Sequence, residues 1–178
     1  MIQDYALEEI QLDMLRARAA LQAAVETVPE SLRDTKPAPD RWSVAEILEH
    51  VAIVNTRVAM MLTALAPTAP MLAAAAMASA TEFDFAPIRD RSNRFMAPEF
   101  VQPQGRVGAK AAWILLTQSW DAVDAALVAS SGRDLTMVTR PHPALGSLDG
   151  YQWFWAVGGH EDRHTAQIVE LAETLKAN

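Results

Sequence analysis

The chain has 178 residues, 51% of them hydrophobic, a formal net charge of -7 and no cysteine. That length fits one domain with a sizeable core, and the acidic balance runs against nucleic-acid binding, which leaves a basic footprint. Without cysteine there is no disulfide, thiolate ligand or thiol nucleophile, so any metal must be held by nitrogen and oxygen.

The first nine residues carry Asp4, Glu8 and Glu9 and no apolar run, unlike a signal peptide. The longest apolar stretch, residues 71–80, is too short to cross a bilayer. A soluble cytoplasmic protein with no membrane partner is expected. Residues 3–28 predict a first helix, because Ile10, Met14, Ala17, Leu21, Ala24 and Val28 recur at helical spacing. Pro29, Pro37 and Pro39 mark the connector that follows. Ser43 and Glu46 form a capping box that starts a second helix, running to about Leu65, with Trp42 placed to staple against Ile47. Its inward stripe holds Ile47, His50, Val51, Val54, Val58, Met61 and Leu62, while Asn55 and Arg57 border a pocket or lie on a solvated flank.

From residue 67 to 108 the periodicity breaks at Pro70, Pro87, Pro98 and Pro103. A short alanine-rich helix is expected over 71–80, with Phe83, Phe85, Phe95 and Phe100 as anchors. Connections this long are functional or linkers, so this one either covers one mouth of the protein and lines a substrate pocket or simply packs on its surface. Arg89, Arg91 and Arg94 either receive an anionic group or are solvated. A third helix over 107–130 has a core stripe of Trp113, Leu116, Trp120, Val123, Ala126 and Leu127 and ends at Gly132. Residues 131–148 are read as a loop. His142 lies in it before Pro143, a position that disfavours helix, and is assigned a structural or pocket-edge role. A fourth helix starts near Asp149, capped by Ser147 or Asp149, and runs to about Leu175.

Four helices, no strand and a long connection between the second and third predict an all-α four-helix bundle in up-down-down-up order, a single domain over residues 1–178. The fourth helix carries His160 and His164, one turn apart on a face shared with Trp153, Val157, Ile168 and Leu171. His50 is also on an inward stripe. Three of the four histidines therefore point inward. Buried imidazoles need partners: these three either hydrogen-bond to other helices or converge as three metal ligands with an open position. His160-Glu161-Asp162-Arg163-His164 formally matches the zinc-protease string, but no histidine follows to complete a protease site. Glu161-x-x-His164 is half of a di-iron pattern whose second half is missing.

Asp40-Arg41-Trp42-Ser43 with Glu46 and His50, followed by His142-Pro143, Gly146, a tryptophan-rich helix start and His160-x-x-x-His164, resembles the two signatures of the DinB-like (YfiT-like) metalloenzyme family. The resemblance spans the chain from the second helix onward. It implies the same bundle, with a divalent metal, zinc or nickel, held by His50, His160 and His164. Its relatives include low-molecular-weight thiol transferases and a thiol-dependent maleylpyruvate isomerase. It thus implies a metal that activates the thiol of a small cofactor for attack on a small-molecule electrophile. Glu161 is the candidate catalytic side chain, orienting a ligand or shuttling a proton, or else forms a salt bridge with Arg163 or Arg57. The competing reading is a non-enzymatic bundle, a binding or stress-related protein with a structural metal or a buried histidine cluster. Family resemblance and helix faces rich in alanine and methionine also predict a homodimer. Sedimentation at micromolar concentration should give twice the chain mass of 19.5 kDa, and a species of 19.5 kDa alone would remove the dimer.

Overall fold

The computed structural model describes residues 5–72, 84–92 and 95–176. Four long helices dominate: α1 (Tyr5–Glu26), α2 (Val44–Leu65), α4 (Ala109–Ala129) and α5 (Gly150–Lys176), with a single helical turn, α3 (Ala86–Arg89), in the connection between α2 and α4. The four lie within two or three residues of the sequence expectations. Each start has a local cause. Ser43 Oγ accepts from the Glu46 amide at 3.2 Å, and the Glu46 carboxylate returns the bond to the Ser43 amide at 3.0 Å. Asp149 and Gln152 repeat the exchange at the head of α5, at 2.8 and 3.0 Å. Each box satisfies amides that the first helical turn leaves without intrahelical partners.

Helix order follows from the two cores. One packs Ala6, Leu7, Ile10 and Met14 of α1 with Val58 and Leu62 of α2, Val123 and Leu127 of α4, and Tyr151 and Phe154 of α5. The other packs Leu21 and Val25 with Val44 and Leu48, Ala112 and Leu116, and Ile168 and Leu171. The start of α1, the ends of α2 and α4, and the start of α5 thus share one end of the bundle. That is an up-down-down-up bundle with α1 parallel to α5 and α2 parallel to α4. The two closest packings are α2 on α4 and α1 on α5. The stretch Val44–Thr68 is long and apolar enough to cross a membrane by length and composition, and in the fold its apolar side chains serve both cores.

The connector before α5 differs from expectation. Thr139–His142 (β1) pairs antiparallel with Gly146–Asp149 (β2), so His142 ends a strand opposite Gly146. Gly146 has φ 77°, which allows the tight reversal after Pro143. A four-residue strand interrupted by proline has too little alternation to be read as one. The alanine-rich helix expected over 71–80 falls mostly outside the described residues, as do Phe83 and Arg94. Leu72 is extended instead: its amide donates to Gly132 O at 2.8 Å, and the Asp134 amide donates to Pro70 O at 2.9 Å. Phe85 is buried against Ile88, Leu148 and Ala156, as an anchor should be, but Phe95 and Phe100 are half or more exposed.

Losing the cap of α2 should be felt directly. Ser43→Ala is expected to lower stability by about 1 kcal/mol, seen as a lower urea midpoint with an unchanged slope. An unchanged midpoint would mean that the box at Ser43 contributes nothing.

Candidate metal centre

The bundle brings together the three histidines singled out in the sequence. His50 comes from α2, and His160 and His164 from successive turns of α5. His160 Nε2 lies 3.2 Å from His50 Nε2 and 3.1 Å from His164 Nε2, and the three ligand atoms all fall within 4.8 Å of one another. His50 and His164 are buried, and His160 is half-buried.

The tautomers decide what this cluster is. His50 Nδ1 donates to Val101 O at 2.7 Å. A carbonyl only accepts, so Nδ1 carries the proton and Nε2 presents a lone pair. His164 Nδ1 faces Gln167 Oε1 at 2.9 Å, which likewise leaves a lone pair on Nε2. His160 Nε2 faces both. If it carries a proton, that proton serves one neighbour, and the other contact sets lone pair against lone pair. A cation among the three nitrogens removes the conflict. Ligands on one ion at 2.0–2.1 Å and tetrahedral angles stand roughly 3.3 Å apart, close to the two observed spacings. The residues present therefore fit a divalent metal held by three imidazoles.

Burial favours the neutral rings that a metal requires. It lowers the His50 pKa against the opposing pull of Val101 O, and it puts His160 and His164 well below the ordinary value of 6.5. The cluster lies in the wall of a cavity of about 1160 Å³, whose other residues include Trp42, Phe100, His142 and Trp153. Trp42 packs on the His50 ring with centroids 4.9 Å apart. The long connection supplies the near wall. Besides Val101 O on His50, the Gln104 and Gly105 amides donate to the Glu49 carboxylate at 3.2 and 3.1 Å. Gly105, with φ 64°, passes so close that a Cβ there would lie 2.9 Å from Glu46 Oε1. Of its two expected uses, this segment lines the pocket.

Other candidates fall elsewhere. His142 borders the cavity but is not among the three converging histidines. Its Nδ1 accepts from the Ala144 amide at 3.1 Å, and its ring packs on Trp153. Glu161 does not line the cavity. One residue on from His160, it points about 100° around the helix and is buried between helices. Its Oε1 accepts from Asn55 Nδ2 and Trp120 Nε1, both at 2.8 Å, and Oε2 has no partner. Neither salt bridge considered from the sequence forms: Arg163 donates to the Ile88 and Asp90 carbonyls, and Arg57 lies over the Phe100 ring. Asn55 is fully buried, not on a solvated flank, because Glu161 requires a donor there. Arg89 pairs with Asp162 and Arg91 with Glu170, so the basic cluster expected from the sequence is divided between two carboxylates. Sequence reasoning missed Val101, since a backbone carbonyl leaves no mark in residue type.

Comparison with known proteins agrees with this picture. A family model described as the DinB superfamily matches residues 13–168. The uncharacterized protein YuaE of Bacillus subtilis (strain 168) is 26% identical over 145 residues, covering 79% of this chain and 83% of that one. A crystal structure titled TT2238, a four-helix bundle protein, superposes with a TM-score of 0.57 at 16% identity, over 97% of this chain and 99% of that one. That likeness is one of fold.

The buried Glu161 gives a pH signature. Burial pushes its carboxyl up to about 7 against the pull of Asn55 and Trp120. The folded chain thus binds this proton more tightly than the unfolded chain. The group's unfavourable contribution is absent below about pH 4.5, grows as pH rises, and is complete above about pH 7. Glu161→Gln keeps an acceptor for Asn55 and Trp120 and removes the charge. It should be more stable than the parent by about 1–3 kcal/mol at pH 8 and by only about a quarter of that at pH 5. Urea unfolding at the two pH values measures this, and a variant weaker at pH 8 would show that the charged carboxylate is needed.

Proposed function

The chain belongs to the DinB superfamily, and on that footing we propose that it is a metal-dependent enzyme acting on a small molecule in the cavity beside His50, His160 and His164. The observation that carries this reading is the convergence of three Nε2 atoms in the wall of a large cavity. A structural zinc site is closed by four protein ligands, whereas a catalytic one keeps a position open. Three imidazoles beside open space fit the second pattern. Nitrogen donors suit zinc or nickel.

A bound divalent ion would supply Lewis acidity, lowering the pKa of a water or thiol that it binds. The chain's own residues do the rest. Val101 O and Gln167 Oε1 fix the tautomers of His50 and His164, so that both lone pairs face inward. Trp42 packs against the His50 ring, and Phe100 lines the same cavity. With no cysteine in the chain, a thiol nucleophile would have to come from a small cofactor, in keeping with transfer of such a thiol to an electrophile. Glu161 contributes from behind, as a positioning residue that ties α5 to Asn55 of α2 and Trp120 of α4.

Metal analysis tests the reading. Protein purified without nickel resin should bind one divalent ion per chain. Alanine at His50, His160 or His164 should weaken binding by more than the roughly 10–100-fold that follows loss of a hydrogen-bond partner behind a ligand. His142→Ala should retain the ion. Because each ring must be unprotonated to bind, affinity should fall as pH drops through and below the histidine range. Loss of metal from His142→Ala with retention in His50→Ala would reverse the assignment, and a wild-type chain that binds no divalent ion would end it.

A further inference from the structure

The cavity wall has an unexpected charge. The chain is acidic overall, yet among the described residues the wall carries five arginines, Arg41, Arg57, Arg91, Arg140 and Arg163, against only Asp40 and Glu170. Glu170 is the centre of one group. Arg91 grips its carboxylate with two bonds, at 3.2 and 2.8 Å. This bond, joined by the fields of Arg41 and Arg163, holds Glu170 below the ordinary carboxylate range despite some burial. Glu170 is thus gripped by one guanidinium and lies in the field of two more. Among the described residues no carboxylate pairs with Arg41 or with Arg57.

The same cavity is lined by large apolar side chains. Phe95 is 49% and Phe100 62% exposed, and Trp42, Met61 and Trp153 line the same cavity. Arg163 lies over the Phe95 ring at 5.1 Å and Arg57 over the Phe100 ring at 5.1 Å. A guanidinium stacked on a ring, as Arg57 is on Phe100, still makes bidentate contact through its edge with a carboxylate or similar acid.

We infer that the cavity selects an amphipathic organic anion, its acid group received beside Arg41 and Arg91 and its apolar body against Trp42, Phe95 and Phe100. This deepens the functional reading above and rests on the cavity being a substrate site, not on which metal the histidines hold. Arg41 is the specificity-determining residue: it precedes α2 in a connector, is half-buried, and has no carboxylate partner of its own.

Two probes of nearly equal shape separate charge from apolar fit: 1-anilinonaphthalene-8-sulfonate, an anion, and uncharged N-phenyl-1-naphthylamine. Each is titrated into the purified protein, both as isolated and after chelator treatment, with quenching of tryptophan emission as the readout. The wild-type chain should bind the anion about tenfold or more tightly than the neutral probe, and the margin should shrink with added salt. Arg41→Gln should remove most of the margin while leaving the neutral probe's affinity unchanged. Equal affinity for the two probes, or saturable binding of neither, would overturn the inference. An Arg41→Gln chain that keeps the full preference would overturn the role of Arg41. The margin in chelator-treated protein is read without metal, so failure of the metal assignment leaves this result standing, and loss of the margin leaves metal stoichiometry untouched.

Discussion

His50 and His164 each turn a lone pair toward His160 Nε2, at 3.2 and 3.1 Å, and a single proton on that nitrogen serves only one of them. The rest of the structure is arranged around that constraint. His160 and His164 meet it locally, since residues four apart on a helix lie one above the other. His50 meets it only because the second and fourth long helices pack in the interior with their cores in register. The Val101 carbonyl then removes the remaining freedom: it accepts the Nδ1–H of His50, and Nε2 is left to face the other rings. Rotating His50 away would cost this buried bond and the packing against Trp42.

The histidine-glutamate string on α5 shows how one turn of helix divides two environments. His160 and His164 face the cavity, while Glu161 lies between α2 and α4 with one carboxylate oxygen bonded twice and the other not at all. A carboxylate left with an unpaired buried oxygen is costly to charge, and its raised pKa expresses that cost. The same string in a zinc protease places its glutamate by the metal as a general base. Here the neighbours on the other helices, Asn55 and Trp120, determine its direction instead.

Much of this was legible in the sequence because the signals are local. Capping at Ser43 and Glu46, the apolar stripes and the i,i+4 histidines each follow from residues within a few turns of one another, and they gave the helix limits and the three converging histidines. What was not legible depends on tertiary partners. Asn55 reads as a polar flank until Glu161 is opposite it. Arg89 and Arg91 read as one cluster until Asp162 and Glu170 divide them. The short hairpin was hidden by Pro141 and Pro143, which weaken any strand pattern while permitting an edge ribbon.

The topology explains why the wall of the cavity comes from the long connection. Parallel α2 and α4 lie side by side, so the chain must return the full height of the bundle between them, about 33 Å for a helix of 22 residues. A bare return would need only about ten extended residues. The connection is much longer, and described parts of it fold against α2 and α5: Val101 reaches His50, Gln104 and Gly105 reach Glu49, and Arg91 reaches Glu170. These contacts add Arg91, Phe95 and Phe100 to a wall to which the helices contribute Arg57, Trp153 and Arg163. The helices thus fix the histidines, and helices and connection together set what approaches them. Substitutions within residues 88–102 can therefore alter the chemistry of the wall while leaving the bundle that holds the three rings intact.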